Sequence, residues 1–152
     1  MTESWRHLPS PARPVAAAVT AAVDAVRKDD AAALDDAVDA LAALDLTHTG
    51  LIVGTTVRLL LEDGHPDGLG AEDVRDTLAS CVRAHPEAHP QVVLWLLAGA
   101  LGVLEEDGAP APRADSLARN AALLLTDLLA GRDPAVWLTT ALTDIQHAQL
   151  ND

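Results

Sequence analysis

The chain has 152 residues, 49% of them hydrophobic, 22% charged and 2% aromatic, and 10 basic residues face 23 acidic ones for a formal charge of −13. These figures fit one domain with a real core. They exclude a disulfide scaffold (there is one cysteine), a disordered acidic tail and a collagen-like repeat.

The first 13 residues read as an extended arm. Leu8-Pro9-Ser10-Pro11-Ala12-Arg13-Pro14 is a polyproline-like spacer, and Trp5 before it is suited to anchoring the arm on the body or on a neighbour. Residues 14–152 then read as a single all-α domain of about seven helices. Abundant Ala and Leu without Phe or Tyr favour helix, and no alternating run of Val, Ile and Thr calls for a strand.

Pro14 opens the first helix, which runs to Lys28 with Val15, Val19, Ala22, Val23 and Val26 at helical spacing. Asp29 or Asp30 caps the second, whose stripe is Leu34, Ala37, Val38, Leu41 and Leu44, with Asp35, Asp36 and Asp39 solvated opposite. Thr47 or Thr49 caps the third, which continues to Asp63 and has so little polar face that it must be buried on more than one side. Gly64 in a left-handed cap and Pro66 stop it.

The fourth helix spans 71–84, with Val74, Leu78, Cys81 and Val82 inward. Pro90 opens a fifth, still more apolar helix, expected to be buried and to end only at Gly108 and Pro110. Its apolar run, 92–104, is too short for a bilayer, which takes about 20 residues. A sixth helix over 114–130 presents Leu117, Ala121, Leu124, Leu125 and Leu128 and stops at Gly131. Asp133 caps and Pro134 starts the seventh, with Leu138, Ala141, Leu142 and Ile145 inward.

Glu62-Asp63-Gly64-His65-Pro66 recurs as Glu106-Asp107-Gly108-Ala109-Pro110, an offset of about 44 residues within the range of two-helix solenoid units. Two arrangements follow. Helices 2–3, 4–5 and 6–7 form stacked, HEAT-like αα-hairpins, or the seven helices make a compact irregular bundle. No motif diagnostic of a known family is present.

Signatures of catalysis are missing: no phosphate loop, dinucleotide fingerprint, nucleophile elbow, paired cysteines or His-Glu-x-x-His. No cofactor is expected. Cys81 lies in an apolar stretch without an activating neighbour and reads as a small core residue, compatible with a reducing cytoplasm. In stacked hairpins His48 would approach His85 and His89, with Asp45 or Glu87 completing a zinc-type set, but Pro86 and Pro90 shape this loop for a turn, so solvated loop histidines and no metal are expected. Arg58 is a charge in a nearly apolar helix. It either snorkels and pairs with Glu62 one turn on, or anchors an anionic ligand or a partner carboxylate. Trp95 and Trp137 are the candidate contact residues beside it.

The acidic balance repels phosphate backbones and anionic lipid, so neither nucleic acid nor membrane is an expected partner. The expectation is a cytoplasmic, non-enzymatic interaction protein that offers an apolar face to a protein partner or to its own copy. The alternative is a small-molecule binder or metal-dependent enzyme with a site between helices.

Overall fold

A computed structural model of the chain describes residues 12–103 and 111–150. The Trp5 arm and the Glu106–Pro110 half of the apparent repeat lie outside the described residues. Seven helices account for most of what is described: α1 (Ala12–Arg27), α2 (Ala31–Ala42), α3 (Leu46–Gly64), α4 (Ala71–Ala84), α5 (Pro90–Ala100), α6 (Ala114–Leu129) and α7 (Pro134–Leu150). No strand occurs among the described residues. Ala12 and Arg13, assigned above to the arm, are already helical. Pro14 thus stands inside the first turn, where its missing N–H costs nothing.

Helix ends follow side-chain chemistry. The Asp30 carboxylate accepts from the Ala33 N–H (3.1 Å) and caps α2. Asp29 just before it holds φ +55°, and the Asp30 and Asp29 N–H groups return to the Ala25 (3.0 Å) and Val26 (3.1 Å) carbonyls. That is a Schellman turn built on Asp instead of Gly, and it makes α1 and α2 a tight hairpin. The α3 cap is Asp45, which accepts from the His48 N–H at 2.9 Å, and not Thr47 or Thr49. At the other end Gly64 is still helical. The His65 ring bonds the Leu61 carbonyl at 2.9 Å, and the turn's positive φ falls on Gly68.

α5 is shorter than its apolar run. Gly102 takes φ +73°, and the Val103 and Gly102 N–H groups bond the Ala98 (2.9 Å) and Gly99 (3.2 Å) carbonyls. This Schellman turn ends the helix well before Gly108.

α6 is the axis of the molecule. It packs against α1, α2, α3, α4 and α5. Ala121, Ala122, Leu123, Leu124 and Leu125 are all buried. Five consecutive positions span every direction around a helix, so α6 is enclosed on all sides. α1 and α2 pack along each other and on α6, and α7 lies on α3 and α1. Between α2 and α3 the chain turns through 119°, not the reversal of a hairpin, and those two helices do not pack along each other. A solenoid unit touches only its neighbours, whereas α6 touches five helices. The architecture is therefore the compact irregular bundle and not the stacked hairpins.

The two most apolar segments behave differently. α3 buries Ile52, Val53, Val57, Leu60 and Leu61, as expected. α5, expected to be buried, buries only Val92, Val93 and Leu97. Leu94 is 44% exposed. Among the described residues no single helix is long and apolar enough to cross a membrane.

Candidate functional site

Four helices meet without filling the space between them. α3 contributes Leu46, Thr49, Gly50, Val53, Gly54 and Val57; α5 contributes Trp95, Leu96, Gly99 and Ala100; α6 contributes Ala114, Leu117, Ala118 and Ala121; and Leu41 closes one end from α2. The pocket they line has a volume of about 360 Å³. Small residues at i and i+4 on α3 (Gly50, Gly54) and at i and i+1 on α5 (Gly99, Ala100) form facing walls that cannot fill it. Among the described residues no ionisable side chain is in the lining. The Thr49 hydroxyl oxygen is buried in the wall without a hydrogen-bond partner. Thr56, further along α3, instead donates to the Ile52 carbonyl at 2.8 Å.

Of the three candidate binding residues, Trp95 lines this pocket and is half-buried; Arg58 and Trp137 are not in its lining. Arg58 pairs with Asp144 of α7 (Nη2–Oδ2, 2.7 Å) and not with Glu62. Its side chain is 38% exposed, so the bond ties α3 to α7 at a modest gain of about 0–1 kcal/mol. Trp137 carries the Arg132 guanidinium over its ring at 4.9 Å. The same guanidinium donates to the Leu129 (2.8 Å) and Leu128 (3.0 Å) carbonyls and to Asp63 (2.9 Å), so Arg132 closes the end of α6 against α3 and α7.

The histidines do not assemble. Among the described residues no group of three or more His, Cys, Asp or Glu side chains is placed to hold a metal ion. A zinc-type set of His48, His85 and His89 required antiparallel hairpins, and the oblique α2–α3 turn removes that premise. His48 instead lines a wider, open depression of about 490 Å³ with Pro14, Val15, Leu44 and Asp45. His85 lies 3.9 Å from Glu87 within its own loop.

Cys81 is fully buried. Burial, and secondarily the carboxylates of Asp127 and Glu87, push its thiol up to about 11, so it is an inert core group at neutral pH. Asp127 itself accepts from the Ser80 hydroxyl at 3.0 Å.

Sequence reasoning missed Asn120. It is 4% exposed on α6; its Oδ1 accepts from the His89 N–H (2.8 Å) and its Nδ2 donates to the Ser116 carbonyl (2.8 Å). It thereby pins the start of α5, the helix that carries Trp95. The signal was present: Asn120 is a polar residue between Leu117 and Leu124, where the stripe calls for an apolar one. Comparison of the chain with protein-family models, with curated proteins and with solved structures finds no match.

Proposed function

We propose that the protein is a non-enzymatic helical interaction protein, and that its contact face is the uncovered side of α5 with the residues around it. One observation carries this reading. α5 contains no charged side chain, yet Leu94 is 44% exposed and Val103, just beyond its end, is 66% exposed. Taking a Leu or Val side chain from full exposure to full burial releases about 1.5–3 kcal/mol; part of that is left at each of these two residues, so a partner laid on this face gains free energy that the chain alone does not use. Charge selects the partner. A chain of −13 repels its own copy and attracts a cationic protein whose basic residues flank apolar ones.

The test uses two synthetic amphipathic helical peptides of equal length, one Leu/Lys and one Leu/Glu. The Leu/Lys peptide is expected to bind, more weakly as salt shortens the Debye length from about 30 Å at 0.01 M to about 10 Å at 0.1 M. The Leu94→Ser variant is expected to lose most of that affinity. Equal binding of both peptides, or unchanged binding by Leu94→Ser, overturns the reading. Light scattering over a range of protein concentrations tests the second copy directly, and a stable dimer would replace the cationic partner with the chain itself.

A second reading, a small-molecule site between helices, is favoured by a different observation, the pocket beside Trp95.

A further inference from the structure

Glycine within a helix destabilises it relative to alanine, so a helical glycine calls for a reason. A positive φ or a close neighbour is the usual one. Gly50 of α3 and Gly99 of α5 have neither: both keep φ in the ordinary helical range, and a Cβ at either would meet no atom within 4 Å. Gly54, one turn beyond Gly50, does have a neighbour, since its Cβ would touch the Ala100 Cα at 3.9 Å where α3 and α5 cross. Both residues line the pocket and both are exposed, so they stand at its open side, where a larger side chain would narrow the entrance.

We infer that this pocket is a preformed site for one small, uncharged hydrophobic molecule, kept open by Gly50 and Gly99. A volume of about 360 Å³ falls in the range of small-ligand sites. The described lining disfavours a charged occupant. Among the described residues no ionisable side chain lines the pocket, so a charge there would find no counter-ion, and the overall −13 adds repulsion against anions. Trp95 offers one broad apolar wall, suited to a ring or a short chain. The inference does not rest on the interaction reading. A ligand inside the pocket and a partner across the outer face of α5 are separate events, and the peptide and ligand experiments can fail independently.

A matched pair of fluorescent probes tests it on the full chain. N-phenyl-1-naphthylamine is neutral; its sulfonated relative, 1-anilinonaphthalene-8-sulfonate, differs by one negative charge. The neutral probe is expected to bind saturably at one site per chain, and the sulfonate at least tenfold more weakly. Gly50→Leu and Gly99→Leu narrow the entrance and should each weaken the neutral probe at least tenfold. Gly50→Ala adds one carbon to a position with no neighbour. It should raise the melting temperature while weakening binding several-fold, and it supplies a folded variant if the leucines fail to fold. Gly64→Ala, outside the lining, should leave binding unchanged. No saturable uptake, equal binding of the sulfonate, or folded Gly50 and Gly99 variants that bind like the parent would each overturn the inference.

Discussion

Buried polar and titratable groups in this core are few. Asn120 uses both ends of its amide, one on α6 itself and one on the backbone that starts α5. Cys81 uses nothing, and its effect is electrostatic. Its thiol stays protonated in the folded chain up to about 11, against 9.0 for a free thiol. The consequence for stability has a definite sign. Below pH 9 the thiol is neutral in both states and contributes no pH dependence. Above it the unfolded chain ionises first, so folded stability declines as pH rises from 9 towards 11, by roughly 2–3 kcal/mol in all. The window is nearly free of other titrations, because the chain has no tyrosine and its one lysine is Lys28. Urea denaturation of the parent and of Cys81→Ala between pH 8 and 11 measures the effect. The parent should lose stability over that window, and the alanine variant should lose markedly less. The unfolded state reacts with thiol reagents at neutral pH, whereas the native chain should not.

Helix ends are the next scale up, and here the chain departs from what its glycines suggest. Gly131 was expected to stop α6, yet Ala130 is the residue in the left-handed position, at φ 50° and ψ 47°, with Gly131 following at φ +85°. A Cβ in that conformation costs roughly 1 kcal/mol or more, and Ala130 is exposed, so nothing packs on its methyl group. Ala130→Gly should therefore stabilise the protein by about 1 kcal/mol, or some 2–4 °C in melting temperature by calorimetry. An unchanged or lower midpoint would mean that glycine's greater freedom in the unfolded chain offsets the relief. The same contrast explains what could be read from the sequence. Caps with a carboxylate beside a periodic run, as at Asp30 and Asp133, were legible. The end of α5 was not, because Gly102 inside an apolar run looks like the other small residues there until its φ is known. Nor was the ranking of burial. Periodicity reports one apolar face per helix, but not how many neighbours a helix meets. α3 and α5, with little or no polar side, both read as buried, yet it is α6, with a readable stripe, that is enclosed. Trp95 was singled out by residue type; the pocket beside it belongs to four helices at once and has no local signature.

At the scale of the whole molecule, charge opposes compaction. Lys28, Arg58, Arg113, Arg119 and Arg132 are each paired with an aspartate, at 2.6–3.3 Å. These pairs sit at the surface and contribute about 0–1 kcal/mol each. Against them stands an excess of 13 negative charges on one small bundle. Many are exposed carboxylates at short helical spacing, such as Asp35, Asp36 and Asp39 on α2. Salt acts on both terms with opposite sign: it weakens the pairs and screens the repulsion. The pairs are local and already close to worthless in water, while the repulsion is summed over the whole surface, so screening should win. Raising sodium chloride from about 0.01 M to about 0.1 M, which shortens the Debye length from roughly 30 to 10 Å, should raise the melting temperature by a few degrees at pH 7. The same series at pH 4.6, near the isoelectric point, should show little change, because at zero net charge little net repulsion is left to screen. A midpoint that falls with salt at pH 7 would assign the interhelical pairs, Arg58–Asp144 and Arg119–Asp35 first among them, a larger share of the stability than surface exposure allows, and the variants Asp144→Asn and Asp35→Asn would then locate it.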